Sequence, residues 1–395
     1  MTTQIILVLC IILLISYVFD LTSKKTKIPS VTLLLLLGWG MKQGVFAFNI
    51  KLPDLSDILP GLGTVGLILI VLEGSLDLKI EKRTLPVIRK SFFLALFPFL
   101  IMAFSLAWAF NYYGDFGFEK SLINALPFCI ISSAIAIPSV QNLSSSNKTF
   151  ITYESSLSDI IGVIIFNFVA LNSSYDISTF GIFFLDIAVV ILLSLVATML
   201  LSLLLSRLNH HIKFGPILIL VVFIYMITKI YHLPGLIFIM IFGLTLSNID
   251  YFINKNWFNF FKPEKINTEI KQFKDIVAEA TFLIRSLFFI LFGFLIETAD
   301  VFNLSTLPWA ASIILGILVL RIIFLRIIGL KIVPLLFIAP RGLITILLFF
   351  GILSDDVIPI VNNSMIVQVI LLSILVMILG MLFTKKRNSE LKVEG

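Results

Sequence analysis

The chain has 395 residues, of which 59% are hydrophobic and 13% charged, with a formal net charge of +6 and a mean hydropathy of +1.10. A soluble domain is about a quarter charged, so this composition excludes a soluble globular protein and describes a polytopic helical membrane protein in a lipid bilayer. The basic excess is the kind that gathers in cytoplasmic loops, and it implies no nucleic-acid partner.

Apolar runs predict about thirteen spans: 3–20, 29–46, 60–76, 91–112, 121–141, 152–171, 178–206, 214–230, 234–249, 276–297, 307–330, 332–352 and 364–383. The first run, "MTTQIILVLCIILLISYVF", has no basic lead and no small-residue cleavage site, so it is expected to stay as a spanning helix. Cys10 and Cys129 both fall in spans and read as small apolar packing residues. The largest loop, "YFINKNWFNFFKPEKINTEIKQFKD", interleaves aromatics with lysines, as an interfacial amphipathic segment does. Residues 384–395 read as a short cytoplasmic tail.

Loop charges orient the spans. With the N-terminus outside, the cytoplasmic segments collect Lys24, Lys25, Lys27, Lys79, Lys82, Arg83, Arg89, Lys90, Lys271, Lys274, Lys385, Lys386 and Arg387. Outward loops keep few, Lys42, Lys51, Lys120 and, at an edge, Lys229, and carry Asp115, Glu119, Asp176, Asp300, Asp355 and Asp356. That alternation favours N-out and C-in.

Thirteen spans divide as six, one and six: residues 1–172, a linking helix over 178–206, and residues 214–383. The single linking span reverses the second half, the arithmetic of an inverted repeat. Matching spans of the two halves carry Pro138 and Pro340, the latter followed by Arg341 and Gly342. Proline removes a backbone donor and crowds the preceding turn, so a helix break is expected at each.

The costliest residues in these spans are charged. A carboxylate at mid-bilayer costs roughly 2.5–3.5 kcal/mol on insertion scales, yet "TYESSLSDIIGVIIFNF" carries Glu154 and Asp159. Ser155 and Asp159 stand four apart and share a helix face, a half-cage of oxygens suited to a hard cation or a proton. Glu154 and Ser158 share the neighbouring face. Arg341 needs a carboxylate partner, and Glu154 is the expected one, which leaves Asp159 free. Glu73 precedes the cytoplasmic end of the third span. Glu279 and Arg285 either pair or face a cleft, while Glu297, Arg321 and Arg326 lie near span ends and read as surface charges. His210, His211 and His232 lie in loops without zinc-site spacing. No nucleophile motif or phosphate loop is present, so neither an enzyme nor a cofactor is expected. An aspartate in such a span holds either a proton or a desolvated cation, and shown alternately to two sides it couples their movements.

At these residues the chain resembles the monovalent cation/proton antiporter superfamily over nearly its whole length. Glu154-Ser155-Ser156-Leu157-Ser158-Asp159 resembles the family's sixth-span Glu-Ser-x-x-Asn-Asp, and Arg341-Gly342 its arginine-glycine element. "KKTKIPSVTLLLLLGWG" is similar to its second-span opening. The resemblance implies thirteen or so helices with two crossing broken ones, a dimer, and exchange of a monovalent cation, sodium or potassium, for protons. It implies Asp159 as carrier, Ser155 as ligand, Glu154 and Arg341 as a structural pair, and Glu73 as a further ligand. Two positions depart from the pattern. Where the family has Thr-Asp-Pro, this chain has Ala136-Ile137-Pro138 and lacks the aspartate, and Ser158 replaces the residue before Asp159. One carrier carboxylate and no mid-span lysine point to an electroneutral one-for-one cycle. A passive cation pathway and a non-transporting scaffold or sensor of the same fold remain as the other readings of these residues. The tail and loops fit a protein of a bacterial-type inner membrane.

Overall fold

The computed structural model describes residues 2–26, 28–48, 57–80, 84–140, 143–172, 176–207, 214–231, 233, 235–249 and 263–393. The chain order is α1 (Thr2–Thr26), α2 (Ser30–Ala47), α3 (Ile58–Asp77), α4 (Leu85–Gly114), α5 (Phe118–Cys129), α6 (Ser133–Ser139), α7 (Ser145–Leu171) and α8 (Ile177–Arg207). There follow α9 (Phe214–Ile230), α10 (Gly235–Ser247), α11 (Pro263–Leu295), a short α12 (Thr298–Val301), α13 (Leu307–Ile327), α14 (Leu343–Gly351) and α15 (Asn363–Val393). No strand occurs among the described residues. Without water, every backbone polar group must be satisfied within the chain, and helices do this segment by segment.

Among the described residues, nine helical segments are long and apolar enough to cross a membrane, and Leu7–Ser23, Phe214–Ile230 and Gly235–Ser247 form shorter apolar ones. The stretch 332–352, expected as one span, is a single 3-10 turn at Leu335–Phe337 followed by α14. The protein is a multi-pass membrane protein. Its helices outrun the expected spans: α7 starts at Ser145 and α15 runs through the expected tail to Val393, because Lys, Arg, Glu and Leu there are good helix formers. Of the expected interfacial loop, residues 251–262 lie outside the described residues, as do His210, His211 and His232, and the rest of that loop begins α11.

The chain forms two compact units: Met1–Thr64, Val87–Gly162 and Leu283–Gly395 in the first, and Val65–Pro86 and Val163–Phe282 in the second. In the second, α10 packs on α8 and α9. The end of α3 is closed by α10 side chains and their neighbour: Ser247 Oγ donates to Leu76 O (2.7 Å), and Asn248 donates to Leu78 O (2.9 Å) while accepting from Ile80 N–H (2.7 Å). These bonds satisfy carbonyls that a helix C-terminus leaves orphaned. Asp77 pairs with Lys274 at 2.5 Å. Along α8, Ile182, Phe184, Leu185, Leu192 and Leu200 are exposed, as apolar side chains in contact with lipid can be.

In the first unit, α2 and α11 touch through glycine. A Cβ on Gly38 would sit 2.0 Å from Ile290 O, and one on Gly293 would sit 2.3 Å from Leu35 O, so no larger residue allows this approach. Glu297 pairs with Lys42 at the surface (2.6 Å). At one end of the broken segments, Asn124 of α5 donates to Asp356 O (2.7 Å) and Lys120 donates to Asp355 O (2.6 Å), which ties α5 to the loop after α14.

Candidate functional site

The site grows from two interruptions of helix within the first unit. α5 ends at Cys129, Ile130–Ser132 is non-helical, and α6 starts at Ser133. The break therefore lies well before Pro138, which is the penultimate residue of the seven-residue α6. The expectation of a break at Pro138 is corrected: a proline disturbs the turn before it, but in α6 that disturbance falls near the helix end. Pro98 likewise sits inside unbroken α4. On the other segment, Ile338–Gly342 is non-helical, and this stretch contains Pro340, Arg341 and Gly342.

The freed backbone groups can be followed one by one, as a buried break requires. Ser132 N–H donates to Pro340 O at 2.8 Å, so the two breaks meet. Ile131 N–H donates to Ser158 Oγ of α7 (2.9 Å), and Arg341 N–H donates to Ser373 Oγ of α15 (2.9 Å). Phe128 O and Cys129 O, orphaned by the end of α5, accept from Arg341 Nε (2.8 Å) and Nη2 (3.2 Å). Arg341 Nη1 donates to Ala339 O (2.5 Å). Gly342 permits the meeting: a Cβ there would lie 2.5 Å from Ile135 Cδ1 and 3.0 Å from Ser132 Oγ.

Arg341 is thus held by three carbonyls, and the expected Glu154–Arg341 pair is replaced by Glu154–Arg321. Glu154 takes both arms of the Arg321 guanidinium, Nη1 on Oε1 and Nη2 on Oε2, the latter at 2.8 Å, while Arg321 Nε donates to Leu335 O at 2.9 Å. Arg321, expected at a surface, is 3% exposed. The reason is geometric: a planar fork satisfies both carboxylate oxygens at once, and Arg341 already has acceptors in the broken backbone. Arg326, in contrast, is exposed.

Asp159 has a different setting. It is buried, and its Oδ2 accepts from the hydroxyl of Ser133 and from Ser133 N–H (3.3 Å). Its Oδ1 has no hydrogen-bond partner among the described residues, and neither does Ser132 Oγ. Ser155 is buried but donates to Ile151 O of its own helix (2.8 Å). Ala136 is buried in α6 with its N–H on Ser132 O (2.9 Å), and Ile137 is half-buried in the same helix. Glu73 is half-buried in α3 within the second unit.

Sequence reasoning missed Ser133 and Arg321. Two adjacent serines in "FCIISSAIAIP" and an arginine inside an apolar span were the available signals. A cavity of about 30 Å³ beside Arg321 is lined also by Cys129, Ile131, Ser158, Ala339 and Arg341, and has room for a water molecule. Among the described residues no group of three or more His, Cys, Asp or Glu could hold a metal ion. What the site offers is one buried carboxylate oxygen bonded to the Ser133 hydroxyl and one that is open. Such a set has the chemistry to take a proton or one desolvated cation.

No curated protein matches the chain. Among solved structures, it is similar to the sodium proton antiporter MjNhaP1 from Methanocaldococcus jannaschii at pH 8, with 18% identity, TM-score 0.69, and coverage of 96% of this chain and 95% of that one. An electron-microscopy structure of the same antiporter matches with TM-score 0.70 at 18% identity, over 100% and 98% of the two chains. These likenesses establish the fold. A family model described as sodium/hydrogen exchanger, transmembrane, matches residues 9–385. The chain therefore belongs to the sodium/hydrogen exchanger family, whose members are transporters and not enzymes.

Proposed function

We propose that the protein exchanges a monovalent cation, sodium or potassium, for protons, with Asp159 as the shared carrier. One observation supports this above the others. Of the two buried carboxylates among the described residues, Glu154 is consumed by Arg321, whereas Asp159 is bonded through one oxygen only and has no cationic partner. A lone buried carboxylate must be neutralised, and a proton or a cation does so equally in charge. One carrier charge gives one proton per cation and an electroneutral cycle. Ser155 and Ser158 belong to the proposed ion path, while Glu154 is structural through Arg321.

The exchange proceeds by alternating access to Asp159, with residues 1–172 and 214–383 as the two inverted repeats and 178–206 as the link. The protein works as a homodimer in a bacterial-type inner membrane, N-terminus outside and C-terminus in the cytoplasm, as the loop charges favour.

The test is proton flux in sealed proteoliposomes carrying a pH gradient, with sodium, potassium or lithium added in turn and the membrane potential clamped or free. Cation-dependent flux that ignores the potential and disappears in Asp159→Asn is expected. Cation flux with no proton movement would instead mark a passive pathway, and no flux from folded protein would mark a scaffold.

A further inference from the structure

The share of the site contributed by the first broken segment is a hydroxyl. Ser133 opens α6 and reaches Oδ2 of Asp159 twice, through its N–H and through its side chain. From Ile130 to Ile137 the only side-chain oxygens are those of Ser132 and Ser133, since the remaining residues are alanine and isoleucine. Ala136 and Ile137, which stand where the family pattern has Thr-Asp, offer no side-chain oxygen.

A hydroxyl has one donor and two acceptor lone pairs. Beside the ionised carboxylate it donates. Beside the carboxylic acid it can accept. Beside a bare cation bound to Asp159 it must turn its hydrogen away and offer a lone pair, because hard cations take oxygen ligands and repel a donor hydrogen. We propose that Ser133 is a cation ligand and selectivity-determining residue of the carrier site, its hydroxyl turning from hydrogen-bond donor on Asp159 to ligand of the cation as the site trades proton for ion. This rests on the reading of Asp159 as carrier.

Two physical consequences follow. The ligand is neutral, so the site keeps a single negative charge, and the cation gains an oxygen without a second proton to displace. Each ion that binds must also break a charge-assisted hydrogen bond between Ser133 and Asp159. Cations whose bonds to oxygen outweigh that loss are retained, and the choice among them depends on the hydroxyl.

The experiment measures initial exchange rates against cation concentration in proteoliposomes, for sodium, potassium and lithium, in wild type, Ser133→Ala, Ser133→Thr, Ser133→Cys and Asp159→Asn. Losing a ligand worth a charged-group hydrogen bond should raise the KM of Ser133→Ala for the preferred cation roughly tenfold or more. The maximal rate should stay within about twofold, since proton transfer at Asp159 remains. The order of preference among the three cations should change, and Ser133→Thr, which keeps the hydroxyl, should restore both. If Ser133→Ala fails to fold, Ser133→Cys keeps nearly the same volume with a sulfur that serves hard cations poorly, and the same rise in KM is expected. Unchanged KM and preference in folded Ser133→Ala or Ser133→Cys, with Asp159→Asn inactive, would overturn the role of Ser133 alone. A fall in maximal rate at constant KM would do the same, since it marks a positioning role. Wild-type exchange by Asp159→Asn would overturn the carrier reading and this inference with it.

Discussion

Glu154 and Asp159 stand five residues apart on α7, both are almost fully buried, and their surroundings are opposite. Glu154 faces a guanidinium that occupies both its oxygens and is itself anchored on Leu335 O. Asp159 faces a break in a neighbouring helix, where a serine holds one oxygen and nothing among the described residues holds the other. A buried carboxylate with a bidentate cation is already neutralised and becomes scaffold. One without must borrow a positive charge, and what it borrows can be exchanged.

That contrast can be broken from either side. The largest expected effect is on the proposed carrier: Asp159→Asn should reduce cation-dependent proton flux to the protein-free background while leaving the melting temperature in detergent close to wild type. Activity retained in this variant would dissolve the contrast altogether. Glu154→Gln should do the reverse. It strands the Arg321 charge in the core at a cost of about 3–5 kcal/mol, read as a lower melting temperature and poorer yield. Glu154→Gln combined with Arg321→Met removes both charges and should recover most of that loss. If Glu154→Gln were stable but altered in cation preference, Glu154 would belong with the carrier.

Smaller effects sharpen the picture of the crossing. Gly342→Ala places a methyl against Ile135 and Ser132 and should cost about 1–3 kcal/mol, with slower exchange, as overpacking where two backbones meet. Ser158→Ala should cost only about 1 kcal/mol. It deprives Ile131 N–H of its acceptor, but both residues line the small cavity, where a water can substitute. Thermal unfolding and flux on the same preparations separate these two, since Gly342→Ala should lose more stability than Ser158→Ala.

Much of the architecture was legible because its signals are local. Span positions follow from runs of apolar residues, and Asp159 stood out because a carboxylate in an apolar helix needs a reason. The second interruption contains Pro340 and Gly342, whose backbone restrictions act within a turn. The first interruption was misplaced at Pro138 for the same reason. Proline shows in a sequence, whereas the conditions for ending α5 at Cys129 lie on other helices: Ser158 for Ile131 N–H, Asp159 for Ser133 N–H, and Arg341 for the carbonyls of Phe128 and Cys129.

The sequence by itself therefore determined an all-helical, multi-pass membrane protein and the residues whose burial carries a cost: Glu154, Asp159 and Arg341. Only the tertiary structure decided who answers whom. Arg321 is 167 residues from Glu154, and Ser133 is 26 from Asp159, and no local spacing rule reaches across such separations. Apolar patterning reports what each helix does with its own backbone. The pairing of buried charges is decided where helices are interrupted and cross, because there the backbone itself competes as donor and acceptor for the same side chains.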